Sequence, residues 1–149
     1  MELQIKLLNE DATLPTKAHD TDSGFDLYAS KELTIKPGET VIVPTGVAVK
    51  FPELWGGMIR PRSGMTAKTK LRVQTGTIDN DYTGEIGIIV DNIGQDEIKI
   101  DKGLKLAQMV LEHIPLVDVK VVDELEHGVR GEKGYGSSGE RWKILWWLC

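Results

Sequence analysis

The chain has 149 residues, enough for one domain with a real hydrophobic core, and its hydrophobic content is ordinary although it carries 16 glycines. A net charge of −5 argues against a sequence-independent nucleic-acid binder, while a local cluster of Arg and Lys or a divalent cation still admits a small anionic substrate. The single cysteine, Cys149, excludes an intrachain disulfide, the opening Met-Glu-Leu-Gln-Ile-Lys has no signal-peptide core, and no apolar run approaches a membrane span.

Taken in chain order, the hydrophobic pattern is mostly period two, the signature of half-buried strands. Leu3, Ile5 and Leu7 alternate with polar residues, and Phe25 to Tyr28 follow a turn at Gly24. Leu33 to Lys36 stop at Pro37-Gly38, a turn pair. Val41 to Pro44 and Gly46 to Phe51 predict one long broken strand, with Pro44 marking an edge or a bulge. Trp55 to Ile59 lead into Arg60-Pro61-Arg62-Ser63-Gly64, and Met65 to Lys70 alone read as helix, for one or two turns. Leu71 to Val73 and Glu85 to Val90 flank a hairpin. Ile98 and Ile100 precede a Lys102-Gly103 turn, Leu104 to Ile114 are mostly apolar, and Val117 to Val122 alternate again. Many short strands punctuated by Gly and Pro predict an all-β sandwich, jelly roll or barrel without internal repeats. Residues 127–139 are charged and then Gly-rich, which reads as a mobile arm, and Glu140 to Cys149 hold three of the four tryptophans.

Five segments carry chemistry. Gly76 to Ile86 place the carboxylate of Asp79 at a hairpin with Tyr82 three residues on; the expectation is a buried carboxylate able to activate water, against a turn aspartate that caps its own backbone. Arg62-Ser63-Gly64 stand where strand gives way to helix, where a phosphate is met by amides and a guanidinium; a capping serine beside a surface arginine is the plainer alternative. Asp26, between core residues Phe25 and Leu27, suits an oxygen-coordinated magnesium ion on a triphosphate, although taken alone it reads as a solvent-facing strand residue. Gln108 interrupts an apolar run and needs partners, either a phosphate oxygen or solvent. Arg130 to Gly139 offer a cation, the ring of Tyr135, the hydroxyls of Ser137 and Ser138, and free amides including that of Gly136, all suited to a base and phosphates. His19, His113 and His127 have no metal spacing.

In this order and spacing, Pro-Arg-Ser-Gly, Gly-x-Ile-Asp-x-x-Tyr-x-Gly-Glu, Ala-Gln and Arg-Gly-x-x-Gly-aromatic-Gly-Ser resemble the motifs of the trimeric dUTP diphosphatase (dUTPase) family, from about Leu3 to Gly139. The resemblance implies a β-clip-like jelly-roll homotrimer with active sites at subunit interfaces, cleaving dUTP to dUMP and diphosphate with magnesium. It implies a β-domain over 1–126, a lid arm over 127–139 and a tail over 140–149. By the same resemblance Asp79 activates the water, Tyr82 packs under the deoxyribose, and Arg62, Ser63, Gly64 and Gln108 bind the phosphates. Asp26 supports the metal through its waters, and Gly76, Thr77, Ile78, Glu85 and Ile86 surround the uracil. Arg130, Tyr135, Gly136, Ser137 and Ser138 close over the ligand from a neighbouring chain. The implied location is the cytoplasm, or a host's cytoplasm for a mobile-element protein, with neither nucleic acid nor membrane as partner.

The sequence departs from the family pattern at Tyr135, where phenylalanine is commonest, at Ser138, where threonine is usual, and at Leu104, a position that is often polar. Ten residues follow Gly139 where the family usually ends. Two other readings stand beside the diphosphatase: a deoxycytidine triphosphate deaminase, which shares the fold but lacks the Asp-x-x-Tyr pair, and an added regulatory role in which the Trp-rich tail engages a protein partner.

Overall fold

Nearly every period-two stretch becomes a strand. The computed structural model describes residues 1–128. Its elements are β1 (Gln4–Leu7), β2 (Gly24–Tyr28), β3 (Leu33–Ile35), β4 (Thr40–Lys50), β5 (Trp55–Pro61), α1 (Ser63–Lys68), β6 (Leu71–Val73), β7 (Gly76–Ile78), β8 (Glu85–Asn92), β9 (Ile98–Ile100) and β10 (Lys105–His113). The strands form two four-stranded sheets, ordered β1-β4-β8-β6 and β2-β10-β5-β7, and a β3-β9 pair; every pairing between strands is antiparallel. This is the all-β jelly roll anticipated from the sequence.

One core draws on all three sheets. Val43, Ile88 and Val90 enter it from the first sheet, Leu27, Ile59 and Met109 from the second, and Ile35 and Ile100 from the pair. Strand β8 shows why: Ile86, Ile88, Val90 and Asn92 are buried in strict alternation with residues more open to solvent. Burying one such aliphatic side chain contributes about 1.5–3 kcal/mol. Asn92 is the polar member of that row. Its amide nitrogen donates to the carbonyls of Ile35 (3.0 Å) and Asp96 (2.8 Å), and its oxygen accepts from Gly94 N–H (2.9 Å), so its burial leaves nothing unpaired.

Turn chemistry follows the sequence. Gly38 and Gly103, the second residues of the two anticipated turn pairs, have φ of 74° and 82°. Pro44 marks a bulge at a stretch of β4 that β1 does not reach: β1 pairs only with Val47 to Lys50, and the β4–β8 register shifts between Pro44 and Ala48. Within the bulge Gly46 has φ 67°, and a Cβ there would stand 2.7 Å from that of Ala12.

Two expectations move. The helix covers Ser63–Lys68 rather than Met65–Lys70, because Thr69 is extended and turns both its N–H (3.0 Å) and its hydroxyl (2.7 Å) onto the Met65 carbonyl. Val117 to Val122 form no strand. The compact unit that carries all the strands is Met1–Leu116, and residues 117–128 belong to a second unit. There Val117, Val119 and Val121 are 75%, 92% and 93% exposed. Alternation marks a face that suits a sheet but does not supply the strand to pair with. Among the described residues no helix is long and apolar enough to cross a membrane.

Candidate functional site

The end of β5 and the start of α1 frame a cleft of about 580 Å³, lined among others by Asp26, Arg62, Ser63, Gly64, Lys68 and Gln108. Strand register assembles it. Gln108 of β10 stands directly between Asp26 of β2 and Arg60 of β5; Asp26 and Gln108 line the cleft at that level of the sheet, while Arg60 is paired with Glu112 at 2.8 Å. Arg62 occupies the N-cap position of α1 and makes no side-chain capping bond. Ser63 is therefore the first helical residue and not the cap. Gln108 donates its amide to the Pro61 carbonyl at 3.0 Å, which settles the partner its place in an apolar run demands. It folds across Gly24, where a Cβ would sit 2.6 Å from the Gln108 amide oxygen.

Asp26 is the electrostatic centre of this cleft. It is buried, not solvent-facing as the strand pattern alone reads, and it is held between two cations: Arg62 Nε lies 3.0 Å from Oδ1 and Lys105 Nζ 2.9 Å from Oδ2. Arg62 Nη1 also donates to the Lys105 carbonyl at 3.2 Å. The hydrogen bond to Asp26, followed by its charge, holds the Lys105 ammonium above its ordinary pKa. Lys105 is the member of the cluster that the sequence motifs miss. Among the described residues no three His, Cys, Asp or Glu side chains gather as a metal cage. A lone carboxylate under a phosphate-sized cleft fits a hydrated divalent cation that arrives with phosphates.

The second constellation is the segment between β7 and β8. Gly76, Thr77 and Ile78 pair with Ile59, Met58 and Gly57, leaving Asp79 at the strand end. Asp79 is exposed in the chain, which corrects the expectation of a buried carboxylate: its carbonyl accepts Tyr82 N–H at 3.2 Å, and the turn projects outward. Asn80, which the sequence motifs pass over because amides are common in turns, pins this turn to the body. Its amide donates to the carbonyls of Pro52 and Trp55, both at 2.7 Å. The Tyr82 hydroxyl donates to the Glu85 carbonyl at 2.9 Å, and the ring is 47% exposed. Glu85 turns its carboxylate onto Gly46 N–H (2.8 Å), so the bulge in β4 fixes the foot of the hairpin. Ile86 is buried behind it, and the Thr45 hydroxyl donates to its carbonyl at 2.7 Å.

The two constellations sit at opposite ends of one sheet. Continuing the β5–β7 register by one residue puts Asp79 beside Gly56, six residues from Arg62, or about 20 Å along the strand. One chain thus brings Asp26, Arg62, Ser63, Gly64 and Gln108 together and holds Asp79 and Tyr82 apart from them. Arg130, Tyr135, Gly136, Ser137 and Ser138, with the tail 140–149, lie outside the described residues.

The family model for dUTPase matches residues 10–139. The deoxyuridine 5'-triphosphate nucleotidohydrolase of Clostridium tetani (strain Massachusetts / E88) is 44% identical over 140 residues, covering 93% of this chain and 97% of that protein. Its namesake from Rickettsia bellii (strain OSU 85-389) is 45% identical over 138 residues, covering 90% and 92%. Among solved structures, the Staphylococcus bacteriophage 80alpha dUTPase with dUpNHpp, described among phage dUTPases that control transfer of virulence genes, superposes with a TM-score of 0.89 at 34% identity, covering 93% of this chain and 99% of that one. A variant dUTPase from phage phi11 of S. aureus, described with a coordinated structural Mg(II) ion, gives a TM-score of 0.81 at 32% identity, covering 85% and 99%.

Proposed function

This chain belongs to the dUTPase family, and we propose that it hydrolyses dUTP to dUMP and diphosphate by attack of water on the α-phosphorus. The observation that carries this reading is a family match over residues 10–139, which takes in both constellations and the Gly-rich arm.

The chemistry follows from the groups in hand. Asp79, an acceptor-only carboxylate, orients a water and takes its proton as the new P–O bond forms. The bond from the α-phosphorus to the bridging oxygen breaks, and diphosphate leaves with that electron pair. Arg62, Ser63, Gly64 and Gln108 hold the phosphate chain, with Asp26 beneath them. When bound with the triphosphate, magnesium supplies charge neutralisation on the phosphate oxygens; Asp26 would hold it through water. Tyr82 packs under the deoxyribose where a 2′-hydroxyl would intrude. The backbone of Gly76 to Ile78, with Thr77, and of Ile86 near Glu85 reads the uracil edge, and cytosine's amino donor would leave a buried polar group without its partner.

The active unit is a homotrimer. A general base must lie within about 3 Å of the water it activates. The separation of about 20 Å within one chain therefore calls for Asp79 of one copy to face the cleft of another. The outer face of β4 and β8 suits such a contact: Ile42 and Ile89 pair across the register and are 69% and 37% exposed. Arg130, Tyr135, Gly136, Ser137 and Ser138 then close over the ligand as a lid from a further copy. The division into a β-domain over 1–126, an arm over 127–139 and a tail over 140–149 belongs to the same proposal, as does a cytoplasmic location where deoxynucleotides are made. A protein partner for the Trp-rich tail is a second role; it rests on the tail's composition, and capture with and without residues 140–149 tests it.

The deciding experiment is diphosphate release from dUTP, dCTP, dTTP and UTP, each with and without magnesium. Fast release from dUTP alone supports the reading. Release of ammonia from dCTP, or no release from a folded protein, overturns it.

A further inference from the structure

Lys105 reaches Asp26 only because β10 is irregular. Gln108 pairs with Asp26 and shares its face of the sheet. In an unbroken ladder Lys105, three residues from Gln108, would point to the opposite face. The register instead shifts: Ala107 pairs with Leu27 and Lys105 with Tyr28, so β10 advances two residues where β2 advances one. The extra residue is Leu106, which is fully buried. This bulge turns Lys105 onto the face of Asp26 and Tyr28, with Nζ 2.9 Å from Asp26 Oδ2 and 5.8 Å from the Tyr28 ring centroid. Bulges that re-aim a side chain are common beside active sites.

The charge count gives the bulge a purpose. Arg62 and Asp26 alone form a neutral pair, with the carboxylate drawing on the guanidinium meant for phosphate. Lys105 makes the group two cations around one carboxylate, a net charge of +1, and its carbonyl takes Arg62 Nη1 at 3.2 Å. One residue thus orients the guanidinium through its backbone and offsets the carboxylate through its side chain.

We propose that Lys105 is a positioning residue for the triphosphate, holding Asp26 so that Arg62 keeps its positive charge for the β- and γ-phosphates. The proposal rests on the dUTP-hydrolysing reading and names a residue of that same site.

The test is calorimetric binding of dUpNHpp and of dUMP to the full chain, in EDTA and in magnesium, for wild type, Lys105→Met and Lys105→Arg. Lys105→Met is expected to weaken dUpNHpp by about tenfold or more, the loss of one charge-assisted contact, and dUMP much less. Lys105→Arg is expected to recover most of the difference, with melting temperatures alike in all three. Equal weakening of both nucleotides, or a fall in dUpNHpp affinity that tracks a fall in melting temperature, would assign Lys105 a structural role and overturn the proposal. Unchanged dUpNHpp affinity in Lys105→Met also overturns it. Failure of wild type to bind either nucleotide would instead overturn the functional reading, and the proposal with it.

Discussion

The hydroxyl of Tyr82 donates to the carbonyl of Glu85 at 2.9 Å, and the ring lies across Gly84. A Cβ on Gly84 would stand 2.6 Å from that oxygen and 2.7 Å from the ring carbon that bears it, so the glycine is what lets the ring lie there. The sugar-facing ring of the proposed site is therefore placed by its own loop.

Gly84→Ala is expected to displace the ring and lower discrimination between dUTP and UTP by about tenfold, the scale of a packing defect in a binding pocket. Tyr82→Phe keeps the ring and loses one exposed hydrogen bond, worth about 1 kcal/mol, so its discrimination should stay near wild type. Comparing kcat/KM for the two nucleotides checks both. A Gly84→Ala enzyme as selective as wild type would separate the ring's position from sugar choice.

Asp79→Asn preserves size and removes the proton acceptor. Turnover of dUTP should fall by about 10³-fold, within the range for loss of a general base, while dUpNHpp affinity stays near wild type. Near-normal turnover would exclude Asp79 as the base.

Truncation after Glu126 removes the arm and tail and leaves every described strand. Most activity should be lost while sedimentation still reports the assembly of the intact chain. A fully active truncated protein would refute the lid.

Asp91 of β8 ties β4 to the residue that follows β6. It accepts from the Thr40 hydroxyl at 2.6 Å and from the Gln74 amide at 3.1 and 3.0 Å. The Thr40 bond, then the Gln74 bond, lowers its pKa below the ordinary 3.8. A carboxylate with a depressed folded-state pKa contributes stability above its unfolded value and loses it as pH falls through the folded one. The difference in urea midpoint between wild type and Asp91→Asn should thus be constant from neutral pH to about 5 and shrink below about 4, given an unfolded value near 3.9. A gap that persists unchanged to pH 2 would remove Asp91's ionised form as its source.

The sequence made local structure readable and left partnerships hidden. The pairs Pro37-Gly38 and Lys102-Gly103 gave their turns because backbone geometry at glycine is local, and β8 was plain because its alternation is strict. Spacing singled out Asp79 as a candidate, but its exposure was not legible, since nothing in the hairpin states what covers it. Lys105 was missed because a register shift inside Leu104 to Ile114 leaves no mark on an apolar run. Val117, Val119 and Val121 show a strand pattern without a strand, for pairing is a property of two segments and the pattern belongs to one.

The placement of Asp79 and Arg62 at opposite ends of one sheet has a genetic consequence. Two defective alleles, one lacking Asp79 and one lacking Arg62, would each encode an inactive enzyme. In the proposed homotrimer, their products expressed together in one cell would co-assemble, and some interfaces would pair the intact hairpin of one with the intact cleft of the other. Complementation between two dead copies, absent when each is purified alone, is what the proposed assembly predicts, given where the β5–β7 register puts the two residues.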